Sequence, residues 1–219
     1  MHKLKRGKAP HCLSKFKHGL NSWDKVNNVD KVEIWTALEI MQGHRCAYCE
    51  SDISGRNKQI EHFRQKASHC YPQATFEWAN LFGSCTRKDS CGNHKDQCGE
   101  YDHEDIIKPD EENPEFYLLF VVDGSIVPRH DLTKKDNHRA NETLRVFNLD
   151  HQHGPLRQMR KKAILGYLQT TETIHELANI YPLEEWLPFL EEELARIKPL
   201  SYATAIKHTL TSQLRTDRL

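Results

Sequence analysis

The chain has 219 residues, with 31 Lys plus Arg against 31 Asp plus Glu, so its net charge is zero apart from 14 histidines. That length allows one or two domains with real cores, and the neutral balance excludes nucleic-acid binding by bulk charge, so any such surface is local. No apolar run approaches the roughly 20 residues that cross a bilayer, and no apolar stretch follows the charged start, which argues against a signal peptide and for a cytoplasmic protein that does not touch membranes.

Residues 1–23 read as a loosely structured basic arm ending near Trp23, with Lys3, Lys5, Arg6, Lys8, Lys15 and Lys17 and no acid before residue 24. A helix is expected at about 30–42. Asp30 can cap it, Val32, Trp35, Leu38 and Met41 recur at helical spacing, and Gly43 can stop it. Residues 44–99 are rich in Cys, His and turn residues and poor in periodicity; such a segment normally needs a metal staple. The run from Glu100 to Glu115 is acidic, suited to screening a site or facing a basic partner.

FYLLFVVDGSIVPR, from Phe116 to Arg129, reads as a hairpin turning at Asp123-Gly124. Its apolar residues suit a core more than a recognition ribbon. A helix is expected from Thr133 with Ala140, Leu144 and Phe147 on one face, then helices over 155–180, 183–197 and 201–215, with breaks at Pro182 and Pro199. The apolar surroundings of Trp35, Tyr48, Trp78 and Trp186 suit a core better than base stacking. The expected fold class is α+β. It divides into a basic arm and helix (1–43), a compact Cys/His module (44–115), and a hairpin followed by helices (116–219) suited to binding a partner.

The chemistry concentrates between Cys46 and Lys95. Seven cysteines, an odd number, point to metal binding over disulfides in a reducing compartment. Cys46-x2-Cys49 has zinc-knuckle spacing, and Cys85 with Cys91 supplies a second pair, so a structural Zn²⁺ is expected on these four thiolates. Cys70 and Cys98 remain alternative ligands. His62 ends the β-like run KQIEHF and, neutral near pH 7, can act as a general base. Glu61 can offer oxygen to a hard cation such as Mg²⁺. Asn80 can orient His62 or fix the intervening loop. His94, one turn into a short helix, can add a second ligand to that cation, and Lys95 can meet a phosphate. A cation held by Glu61 and His94 would stabilise a leaving oxygen while His62 handles water. Arg56, Lys58, Arg64, Lys66, Arg87 and Lys88 flank this set and suit substrate phosphates.

The strings CAYCE, IEHFRQKAS, EWANLFGSC and CGNHKD together resemble the HNH, or ββα-metal, endonucleases, and among them the PtuB nucleases of Septu and retron-associated anti-phage systems. The resemblance is densest over 44–96 and extends more weakly through NETLRVFNLDHQHGPLRQMRKKAI and YATAIKHTL. It implies a zinc-stapled nuclease core with Mg²⁺ or Mn²⁺ at the catalytic centre. It also implies a nucleic-acid substrate, DNA in preference to RNA, and a PtuA-like ATPase partner, with a retron reverse transcriptase and its msDNA in some systems. Carried over, Glu61 matches the acidic metal ligand, His62 the base, Asn80 the central Asn and His94 the last His; Arg64 and Lys95 are the phosphate-contact candidates. Gly92 and Asn93 intervene between Cys91 and His94, which makes Asn93 a rival ligand, and the five residues between Cys85 and Cys91 exceed the usual two. The competing readings are a zinc-stapled nucleic-acid-binding module without catalysis, and an adaptor built on the C-terminal helices.

Overall fold

In the computed structural model, which describes residues 1–67, 70–212 and 214, the first helix, α1, spans Asn28–Gln42. Its cap is Asn27, one turn ahead of the expected start. The Asn27 side chain accepts from the backbone of Val29 and Asp30, and the Asp30 carboxylate returns to the Asn27 amide, forming a capping box. Gly43 ends the helix at φ 66°, a left-handed conformation that costs glycine little. Leu38 and Met41 face the core as expected, joined by Ile34, whereas Val32 is 66% exposed.

Two strands follow, β1 (Lys58–His62) and β2 (Leu81–Cys85), paired antiparallel from Lys58 opposite Cys85 to His62 opposite Leu81. A short helix, α2 (Cys91–Lys95), comes next and packs on β2. The order strand, strand, helix is a ββα unit. A second hairpin, β3 (Leu118–Phe120) and β4 (Ile126–Pro128), turns at Asp123-Gly124 as expected. Leu118, Phe120 and Ile126 are buried in the main core.

The remainder is helical: α3 (Lys134–Phe147, capped by Thr133), α4 (Pro155–Leu165), α5 (Leu168–Ile180), α6 (Leu183–Ile197) and α7 (Ala203–Thr211). The helix expected over 155–180 is broken at Gly166-Tyr167, where Tyr167 leaves helical geometry at ψ 4°. Residues 213 and 215 of the last expected helix lie outside the described residues. A second apolar cluster, with Trp186, Leu190, Ile197 and Leu210, joins α5, α6 and α7. Tyr48, Trp78 and Trp186 are buried, and Trp35 packs against the core under the Lys58 ammonium. The architecture is thus α+β, a ββα core followed by a helical C-terminal part. No described helix is long and apolar enough to cross a membrane.

The N-terminal arm is not loose. Met1 and Leu4 are fully buried, and the Leu4 amide donates to Pro109 O at 2.8 Å. Arg6 reaches inward over the rings of Trp78 and Phe82. It donates to the Asp110 carboxylate at 2.6 Å, Trp78 O at 2.6 Å and Leu81 O at 3.0 Å. A guanidinium with five donors can satisfy all three acceptors at once. The arm therefore uses part of the acidic run as its internal counter-charge. Elsewhere in that run, Glu112 pairs with Arg139 and Glu115 with Lys207 and His208. These acids bind the chain to itself.

Candidate functional site

The four sulfurs of Cys46, Cys49, Cys85 and Cys91 lie within 4.8 Å of one another, and all four residues are buried. A tetrahedral zinc with Zn–S of about 2.3 Å places its sulfurs about 3.8 Å apart, and the Cys49 and Cys85 sulfurs are separated by 3.9 Å. The donor set and its spacing fit zinc. Two backbone features bring the sulfurs together. Glu50 at φ 63° turns the knuckle behind Cys49, and Cys91 at φ 56° aims the start of α2 inward. Burial raises the thiol pKa of Cys49 and Cys91 well above the ordinary range. For Cys46, hydrogen bonds from Cys49, Cys85 and Cys91 outweigh burial and pull it well below. The wide gap before Cys91 is closed by Asn93, which donates to Arg87 O at 3.0 Å, and by Asn148, which donates to Asp89 O at 2.7 Å. Cys70 and Cys98 stand outside the cluster and bond Gln65 and Lys95 O respectively.

His62 ends β1 and is 4% exposed. Its Nε2 lies 3.0 Å from Thr75 O. A carbonyl only accepts, so Nε2 carries the proton and Nδ1 keeps a lone pair. Burial, with Lys66 adding to it, lowers the imidazole pKa to about 3, so the ring is neutral at pH 7. Trp23 packs edge-on against the ring, with centroids 4.5 Å apart.

Asn80 lies at the far end of the loop that leaves β1. Its Oδ1 accepts from Arg64 N at 2.7 Å, and its Nδ2 donates to Arg64 O and Ala74 O, each at 3.0 Å. None of these three bonds goes to the His62 ring. It closes the loop that carries Thr75, the residue that orients His62, and it holds the backbone of Arg64, whose side chain is half-buried.

His94 donates from Nδ1 to Val146 O at 2.9 Å, which leaves the Nε2 lone pair as a ligand atom. Asn93 spends both ends of its amide within the protein, since its Oδ1 accepts from Gln59 at 3.1 Å and its Nδ2 holds Arg87 O.

Glu61 is also buried, although an ideal strand would send it away from His62. Its carboxylate bends over Gly92; a Cβ there would lie 2.2 Å from Oε2. Lys95 is fully buried and turns inward, with Nζ 2.9 Å from Glu61 Oε1 and 2.7 Å from Asp96 Oδ1. Burial pushes Glu61 up to about 7 against the pull of Lys95. Burial works against the Lys95 ammonium too, but Glu61, Tyr101 and Asp96 outweigh it and raise its pKa. At 2.9 Å in a shared buried site, the two charges hold each other in the ionised form.

Over 148 residues the chain is 29% identical to a protein described as the candidate HNH endonuclease of retron Vc95, from Vibrio cholerae serotype O1 biovar El Tor. The match covers 65% of this chain and 70% of that protein. This chain resembles the HNH endonucleases. No family model matches it. The ββα order and the four-sulfur cluster agree with an HNH-like core stapled by zinc.

Several groups that shape this HNH-like centre carry no sequence signal. Thr75 and Val146 act through backbone carbonyls, which any residue supplies. Trp23 lies far from His62 along the chain, in an arm without periodicity. Asp96 follows the motif but is one of many acids in that stretch.

Proposed function

We propose that this chain is a metal-dependent endonuclease that hydrolyses phosphodiester bonds, with His62 as its general base. The observation that carries the reading is the geometry of His62: an imidazole at the end of β1 whose Nε2 proton is held by Thr75 O, which leaves the Nδ1 lone pair as the acceptor for a proton from water. In this reading Asn80 holds the loop that presents Thr75, and the Cys46, Cys49, Cys85 and Cys91 thiolates hold the structural zinc. Glu61 and His94 offer an oxygen and a nitrogen donor to a divalent cation, Mg²⁺ or Mn²⁺, which when bound supplies charge stabilisation at the leaving oxygen. The oriented ring of His94, and an Asn93 amide already engaged within the protein, support His94 as the ligand. Arg64 is the phosphate-contact candidate we favour, because it lies two residues after the base and Asn80 fixes its backbone. Lys95, facing Glu61, does not offer its charge to the surface.

The substrate we favour is DNA. The name of the Vibrio relative gives a retron setting for that protein, and from it we extend to this chain a role as nuclease effector of an anti-phage complex. The partners in that reading are a PtuA-like ATPase and, in a retron, a reverse transcriptase with its msDNA; the helical part following residue 115 is the surface we assign to them. The test is cleavage of plasmid DNA and of tRNA by the purified protein with Mg²⁺ or Mn²⁺, with and without chelator. Divalent-dependent cutting of DNA supports the reading. Tight binding without cutting under every metal condition supports the non-catalytic zinc module.

A further inference from the structure

Among the described residues, Lys95 is the cation buried against the proposed ligand Glu61, and it takes up one of that carboxylate's two oxygens. Its Nζ is 2.9 Å from Glu61 Oε1, with the lysine side chain fully buried and the glutamate side chain 6% exposed. A divalent cation cannot share Oε1 with an ammonium at hydrogen-bonding distance, since like charges in a poorly hydrated pocket repel strongly. Lys95 also has a second acceptor already in place. Asp96 Oδ1 is 2.7 Å from the same Nζ, and the Asp96 side chain is 52% exposed. Gln65 steadies that acceptor from the loop after β1, with Nε2 3.3 Å from Asp96 Oδ1 and 3.3 Å from Lys95 O. An ammonium on a flexible four-carbon stem can therefore leave Glu61 and remain paired at the surface.

We propose that Lys95 is a resident counter-ion that competes with the divalent cation for Glu61, and that loading the site transfers its ammonium from Glu61 to Asp96 and solvent. The inference rests on the reading of Glu61 as a metal ligand. Gly92 belongs to the same device. Glu61 can lie over the start of α2, within reach of Lys95, because no Cβ occupies that position.

The experiment is Mn²⁺ binding, measured by the EPR signal of the free ion on zinc-loaded protein, in wild type, Lys95→Met and Glu61→Gln. Lys95→Met keeps the length and removes the charge, and the expected result is Mn²⁺ affinity tighter by about tenfold. An unchanged or weaker affinity in a folded Lys95→Met variant overturns the proposal. Because that variant leaves a buried carboxylate without its partner, a second measurement uses the wild type alone. Acylation of lysines read by mass spectrometry should find Lys95 protected without Mn²⁺ and reactive at saturating Mn²⁺; equal protection in both states overturns the proposal. Glu61→Gln separates the two layers. If it abolishes Mn²⁺ binding while Lys95→Met changes nothing, only the role of Lys95 is lost. If Glu61→Gln binds Mn²⁺ like wild type, Glu61 is not a ligand and both readings fall.

Discussion

The Asn80 side chain satisfies both backbone polar groups of Arg64: Oδ1 takes its N–H at 2.7 Å and Nδ2 donates to its C=O at 3.0 Å. The Asn80 carbonyl adds a bond from Phe63 N at 2.9 Å. One buried amide thus closes the loop between β1 and β2 onto the residue that follows the strand. Asn80→Ala leaves these groups without a partner, and each unsatisfied buried group costs about 1–3 kcal/mol. The expected outcome is a clear loss of stability in denaturant unfolding, together with reduced cleavage. A variant as stable as wild type would mean that the loop does not depend on Asn80.

The zinc staple should be needed for folding. Cys49→Ser removes one buried thiolate ligand and should lower zinc content and the thermal midpoint together. Stripping zinc from the wild type with a strong chelator should produce the same loss of structure by circular dichroism. Retention of a cooperative thermal transition without zinc would place the cluster outside the folding core.

Burial is the main reason the His62 pKa falls to about 3, and Trp23 is the ring packed against it. Trp23→Ala lets solvent approach. The His62 pKa should move up toward the ordinary histidine range, read from imidazole chemical shifts during an NMR titration. No movement would assign the shift to the rest of the pocket.

Glu115 shows how acid should act on the helical part. Burial pushes its carboxyl up, but hydrogen bonds from His208 and Lys207 outweigh burial and bring it down to about 2. A carboxyl whose pKa is depressed in the folded state adds stability that is fully present above its unfolded value. That stability is lost as the pH falls through the folded value. The contribution should therefore fade between roughly pH 4.5 and 2. Glu115→Gln should flatten the stability profile over that interval, measured by urea unfolding at several pH values.

The Gly92 approach is equally testable. Gly92→Ala puts a Cβ into the Glu61 carboxylate. Glu61 cannot easily withdraw while paired with buried Lys95, so the overpacking cost is about 1–3 kcal/mol. Urea unfolding measures it, and an unchanged midpoint would show that Glu61 has room to move.

How much of this was legible in the chain depends on the range of each interaction. The convergence of Cys46 with Cys49 is local and reads directly from spacing. So do the strand ending at His62, the Asp123-Gly124 turn and the Thr133 cap. The five-residue gap before Cys91 exceeds the usual two; its closure involves Asn148, more than fifty residues away, which no local pattern encodes. Arg6 reads as one more basic residue in an arm, because nothing near it announces that Asp110, Trp78 and Leu81 will surround it. Lys95 reads as a phosphate contact because its position next to His94 in a helix of five residues says little about which way it turns. Only the burial of Glu61 beneath it decides that.

In the proposed mechanism His62 takes the proton from the attacking water. The direct measurement is the rate of Mn²⁺-dependent plasmid cleavage by wild type and His62→Ala at equal zinc content and matched circular dichroism. Loss of a general base should slow cleavage by about 10²–10⁴-fold while zinc and fold are retained. Cleavage at the wild-type rate by a folded, zinc-loaded His62→Ala protein would contradict it.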